Sequence, residues 1–261
     1  MRQLIEFPCA GETLVGTLDA APGNSGLLIV SGGNEIRTGA HRGMAMLAQR
    51  VAEAGHPVFR FDRRGIGDST GINGGFESSG EDIAAALTAF RATGVTRIIA
   101  FGNCDAATSL AFYQARVGLD ALLLANPWTI EASDDLPPAA AIRSHYAQKL
   151  RDPKEWLRLL RGGVNIGKIF RGLFKASQKP SQDFASLAAR LGAALANDTP
   201  TTILIAKSDN TAIAFVDAFK APAFDGARAR VRIETLDSDS HSFASRSDKD
   251  WLLARVIAAL S

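Results

Sequence analysis

Apolar positions along this chain recur with two different periods. Near the start, "QLIEF" and "TLVGTL" alternate apolar with polar residues, and the turn-like "CAGE" between them predicts an antiparallel hairpin. "GLLIVSGG" is instead a continuous apolar run ending in glycines, which predicts a strand buried on both faces. "HRGMAMLAQRVAEAG" places apolar residues at helical spacing and stops at a glycine, the pattern of a helix with its C-terminal signal. The rhythm repeats through strand "PVFRFD", helix "EDIAAALTAFRATG", strand "RIIAFGN", helix "AATSLAFYQARVG" and strand "ALLLANP". It resumes with strand "TTILIAK", helix "AIAFVDAFK", strand "ARVRIETL" and helix "DKDWLLARVIAAL". Strands alternating with helices predict an α/β fold: a mostly parallel sheet with helices on both faces. Ligands of such sheets bind beyond the carboxyl ends of the strands, so chemistry is expected in the residues just after each strand.

Residues 129–199 interrupt the alternation. "DPKEWLRLLRG" and "SQDFASLAARLGAALAN" carry helical patterns, with Pro137, Pro138, Pro153 and Pro180 as punctuation. Between residues 149 and 179 nine Lys/Arg stand against two Asp/Glu. Such a run fits the solvated face of an insertion. It equally fits a lid that attracts an acidic or membrane-associated substrate.

Composition narrows the function classes. A formal charge of +2 on 261 residues gives no general reason to expect a nucleic-acid partner. Two cysteines, Cys9 and Cys104, make neither a disulfide framework nor a metal-ligand cluster, and a triad of Cys104, Asp209 and His241 needs no metal or cofactor. "MRQLIEFPCAGETL" does not read as a signal peptide or anchor, and no apolar stretch approaches the roughly 18 residues of a membrane span. The expectation is a soluble, cytoplasmic protein with a reduced Cys104. Oligomeric state is left open, a homodimer included.

Three residues in three loops carry candidate chemistry. Cys104 follows strand "RIIAFGN" at the start of a helix, in the pattern G-x-C-x-A formed with Gly102 and Ala106. A nucleophile on a strand-turn-helix elbow needs small neighbours, and the helix N-terminus favours thiolate over thiol. The Asp105 amide would then point at an oxyanion. The competing reading is a buried packing cysteine. His241, in "LDSDSHSFAS" after the last strand, stands among small polar residues, as suits a general base. Asp209, in "LIAKSDNTA", could orient that imidazole, or simply cap the following helix. The order Cys104, Asp209, His241 is nucleophile, acid, base, each just past a different strand.

In that order the chain resembles the α/β-hydrolase superfamily over nearly its whole length. "RFDRRGIGDSTG" is similar to that family's D-x-R-G-x-G-x-S loop, at Asp62, Arg64, Gly65, Gly67 and Ser69. "LLIVSGGNE" resembles its oxyanion loop, with Ser31 where His commonly precedes the first glycine. More narrowly, "GNEIRTGAHRG" with "FGNCDAA" and "NPW" is similar to the exosortase A system-associated hydrolase type 1 group. The resemblance implies an α/β-hydrolase core of residues 1–128 and 200–261, an N-terminal antiparallel hairpin, and a helical lid of 129–199. It implies a second oxyanion donor at the amide of Gly33 or Asn34. It also implies hydrolysis of a small-molecule carboxylic ester or thioester through Cys104, His241 and Asp209. Cys104 replaces the usual Ser, as in the dienelactone-hydrolase branch, and Ala106 replaces the usual second Gly. Acyl transfer from the same cysteine, or a non-catalytic binding protein on this fold, are the alternatives.

Other residues are less committed. Glu35, Arg37 and His41 could line the pocket, or serve as cap or surface residues of the helix near 40, and Arg63 reads similarly. Trp128 and Trp156 could shape an acyl pocket or simply pack. The glycines of "RRGIGDSTG" miss the dinucleotide pattern by one residue and follow the second strand of the alternation rather than the first.

Overall fold

The computed structural model describes residues 1–130 and 186–261. Strands β1 (Arg2–Cys9) and β2 (Glu12–Asp19) form the expected hairpin. Both central residues of its turn, Ala10 and Gly11, have positive φ (49° and 85°), the twist that a two-residue hairpin requires. There follow β3 (Ser25–Val30), α1 (Gly43–Glu53), β4 (Val58–Phe61), α2 (Gly80–Arg91), β5 (Arg97–Asn103), α3 (Asp105–Val117) and β6 (Ala121–Ala125). After the interruption come α4 (Leu187–Leu195), β7 (Thr201–Ala206), α5 (Asn210–Ala218), the short α6 (Asp225–Arg228), β8 (Val231–Leu236) and α7 (Arg246–Leu260).

One eight-stranded sheet runs in the order β1-β2-β4-β3-β5-β6-β7-β8. The β1/β2 and β2/β4 pairs are antiparallel, and every pair from β4 to β8 is parallel. The continuous apolar runs are explained by two core layers. In β3, Leu28 and Val30 face a layer built with α2, α3, α4 and α5, while Leu27 and Ile29 face α1 and α7. Successive side chains of a strand point to opposite faces, so a strand covered on both must be apolar at every position. Each fully buried Leu or Ile of this kind contributes about 1.5–3 kcal/mol relative to exposure.

Helix α4 closes the interruption against the core. Leu191 and Leu195 are buried in the layer with α3, and Gln114 of α3 donates to the Ala194 carbonyl at 2.8 Å. Residues 187–195 therefore pack as core. The patterns at "DPKEWLRLLRG", the basic run 149–179 and Trp156 lie outside the described residues. Among the described residues no helix is long and apolar enough to cross a membrane.

Candidate active site

Four consecutive parallel strands, β5 to β8, deliver their following loops to one rim of the sheet. Cys104 sits between β5 and α3 with φ 62° and ψ −128°, a conformation L-residues rarely adopt. Such strain costs about 1–3 kcal/mol and persists where the surroundings enforce it. Here the Cys104 amide donates to the Ala125 carbonyl at 2.9 Å, and the Cys104 carbonyl accepts from Ala107 and Trp128, each at 3.2 Å. Small neighbours make the turn sterically feasible. A Cβ on Gly102 would lie 2.8 Å from the Ala106 backbone, and one on Gly32 would lie 2.5 Å from Asp105 Oδ1.

His241, in the loop after β8, brings its Nδ1 to 3.1 Å from Asp209 Oδ2. Its ring shares a cavity wall with Cys104 and interacts with that side chain. The imidazole pKa is pushed up to about 10, chiefly by the hydrogen bond to Asp209 and next by that to Cys104, against an opposing effect of burial. Asp209 is buried and caps α5, accepting from the Ala212 amide at 3.0 Å. One carboxylate thus both contacts the His241 ring and caps α5. The structure brings Cys104, His241 and Asp209 together, though they are far apart along the chain.

A cavity of about 200 Å³ opens here, lined by Ser31, Gly32, Gly33, Glu35, Met44, Cys104 and His241 among others. Gly33 and Asn34 follow β3 beside the elbow, but the Gly33 amide is already engaged: it donates to Asp105 Oδ1 at 2.7 Å. The amides of Asn34 and Asp105 have no acceptor among the described residues. The Asn34 side chain accepts from Asn73 Nδ2 at 2.9 Å.

Arg37 does not line this cavity. Its guanidinium is directed to Asp62, Asp68 (2.8 Å) and Thr17 (2.9 Å), where it neutralises the fully buried Asp62 carboxylate. Trp128 is absent from the cavity wall as well and contributes through its backbone. Its amide holds the Cys104 carbonyl, and its own carbonyl accepts from Thr108 Oγ1 at 2.8 Å. Arg63 is not a surface residue but 3% exposed, bonded to the Gly33 carbonyl and to Ser79 Oγ. Two residues with no role in the sequence reading also border the site. Asn103 and Asn126 both donate side-chain N–H groups to the His241 carbonyl, at 3.0 and 3.4 Å. Their signal lay only in adjacency, Asn103 beside Cys104 and Asn126 at the end of β6.

Among the described residues no group of three or more His, Cys, Asp or Glu could hold a metal ion.

No family model matches the sequence, and no curated protein does. Solved structures do match in shape. An esterase of Pyrococcus furiosus is similar with a TM-score of 0.65 and 16% identity, over 98% of this chain and 88% of its own. An α/β hydrolase from Penicillium sp. sh18 gives 0.66 and 16%, over 100% and 98%. A proline iminopeptidase from Mycobacterium smegmatis gives 0.62 and 19%, over 99% and 97%. With the strand order and senses described above, these likenesses over nearly the whole chain make this the α/β-hydrolase fold.

Proposed function

We propose that this protein is a hydrolase of carboxylic esters or thioesters that works through a covalent acyl-Cys104 intermediate. The observation that supports the reading is the convergence of Cys104, His241 and Asp209 at one rim of the sheet, with Cys104 on a strained elbow at the N-terminus of α3. Esterases and hydrolases among the structures of similar shape support it. The motif similarity to exosortase A system-associated hydrolases of type 1 is a narrower reading within the same proposal.

In this mechanism His241 holds the proton of Cys104 as an imidazolium, and the thiolate attacks the carbonyl carbon. The carbonyl electron pair moves onto oxygen, which is met by the Asp105 amide and by that of Asn34 or Gly33. Collapse of this intermediate expels the alcohol or thiol, which takes its proton from His241. Water, deprotonated by the now neutral His241, attacks the acyl-cysteine, and the sulfur departs with the acid released. Asp209 fixes the ring with Nδ1–H toward itself, leaving Nε2 for proton transfer. Every step is served by side chains and amides of the protein itself.

A panel of short and medium acyl esters and thioesters, run against wild type, Cys104→Ala and Cys104→Ser, tests the proposal. Loss of at least about 1,000-fold in kcat/KM for Cys104→Ala is expected. An acyl adduct on Cys104 in the mass spectrum of a quenched single turnover is also expected. Activity surviving Cys104→Ala unchanged overturns the proposal. Product shifting to an added alcohol or amine acceptor would reassign the second half-reaction to acyl transfer.

A further inference from the structure

We infer that Asn126 is a positioning residue that holds the three reactive loops in register, an inference that rests on the Cys104–His241–Asp209 reading above. Asn126 follows β6 directly, is fully buried, and adopts φ 42°, an uncommon conformation for a residue other than glycine. Its backbone amide donates to the Leu204 carbonyl at 2.9 Å. Its side chain then makes contacts to three different segments. Oδ1 accepts from the Ala206 amide at 2.9 Å, and Nδ2 faces Asn103 Oδ1 at 3.3 Å and the His241 carbonyl at 3.4 Å. Asn103 completes the triangle by donating its own Nδ2 to the His241 carbonyl at 3.0 Å.

Each contact reaches a segment that carries one member of the site. Asn103 is the residue before Cys104, Ala206 lies three before Asp209, and the third partner is His241 itself. Donor and acceptor identities fix the amide orientation. A backbone N–H can only donate, so the atom facing Ala206 must be the oxygen, and Nδ2 then faces two oxygens. A primary amide at this position offers an acceptor and a donor on one short, planar group. A carboxylate would keep the bond to Ala206 but turn an acceptor toward the two oxygens, and an alanine would abandon all three. None of the Asn126 contacts reaches the cysteine sulfur or the imidazole ring. The residue therefore acts through the His241 backbone, setting where the ring stands between sulfur and carboxylate.

The test is Asn126→Asp, near-isosteric, with Asn103→Ala at a half-buried neighbour as the second variant. Far-ultraviolet circular dichroism and thermal unfolding report folding. The imidazole titration of isotopically labelled His241 is followed by NMR, and kcat and KM are measured on the ester and thioester panel. Expected for each folded variant is a His241 titration at least about one pH unit below that of wild type. Expected too is a kcat lowered by about 10- to 100-fold with KM within about threefold, as for a misplaced reacting group. Folded Asn126→Asp protein with wild-type titration and kcat overturns the inference, as does an effect confined to KM. Should Asn126→Asp fail to fold, Asn103→Ala decides by the same readouts. The NMR titration needs no turnover, so activity surviving in a parallel Cys104→Ala control would sink the hydrolase reading while leaving the positioning role judged on its own.

Discussion

A single oxygen, Oδ2 of Asp209, accepts both the Nδ1 proton of His241 at 3.1 Å and the amide of Ala212 at 3.0 Å. The helix cap and the imidazole partner are the same atom, so the start of α5 holds the carboxylate in place for the ring.

That shared oxygen separates two substitutions. Asn is as good an N-cap as Asp, whereas Ala loses about 1 kcal/mol at such a site. Asp209→Asn should therefore unfold near the wild-type urea midpoint, while Asp209→Ala should unfold earlier. Both should lose kcat/KM by about 100- to 10,000-fold, because neither retains the charge that holds the ring in its tautomer and stabilises the imidazolium. Comparable activity in Asp209→Asn and wild type would reduce Asp209 to a cap.

The raised His241 pKa has a definite sign in stability. A group whose pKa moves from 6.5 unfolded to about 10 folded binds its proton more tightly in the native state. Its contribution is fully present below pH 6.5 and fades as pH rises through about 10. The imidazole side chain is 40% exposed, so after solvent screening the effect is expected to be about 1 kcal/mol. Urea midpoints of wild type and His241→Gln should differ most at pH 6 and converge near pH 10.5. A gap that instead widens with pH would contradict the assigned contacts.

How far the sequence discloses these arrangements depends on the range of the interactions. The run Leu27 to Val30 declares a strand covered on both faces, because burial of every side chain leaves no polar position. Cys104, Asp209 and His241 are legible because each follows a strand, and the topology delivers those loops to one rim. Asn126 is not legible in the same way. Its importance lies in where three other segments place a carbonyl, an amide and a second asparagine, and no local pattern encodes that. Arg63 fails for the same reason, since its burial is set by Gly33 and Ser79 from other elements. "LAARLGAAL" has a helical period that suits a lid or a core helix equally, and only the contact with α3 distinguishes them.

Arg37 offers a direct check on a pocket role assigned from position alone. Its partner Asp62 is fully buried and also accepts the Arg37 and Asp68 amides, at 2.6 and 3.1 Å. Removing one partner of a buried ion pair costs about 3–5 kcal/mol, because the other charge is left uncompensated. Arg37→Ala should therefore lower the urea midpoint strongly, and the protein still folded at low temperature should keep a near-normal KM. A KM raised severalfold with an unchanged midpoint would return Arg37 to the substrate.

Asp105 poses the sharpest chemical question at this site. The proposed mechanism would offer the Gly33 amide to a developing oxyanion, yet the Asp105 carboxylate already accepts that N–H at 2.7 Å. In that mechanism a carboxylate there would compete for the donor and place negative charge where the transition state gains its own. The buried guanidinium of Arg63, bonded to the Gly33 carbonyl, offsets part of that charge. Substitution separates competition from support. If the carboxylate competes, Asp105→Ala frees the amide and removes the charge, and kcat on a neutral thioester should rise about three- to tenfold, the range of one modest hydrogen bond. Asp105→Asn, which keeps an oxygen for Gly33 without the charge, should fall between the variant and wild type. Should both variants lose kcat to the same degree, with lowered unfolding midpoints, the carboxylate is a brace for the Gly32–Gly33 turn. The Asn34 amide, which carries no acceptor among the described residues, then becomes the donor that meets the oxyanion.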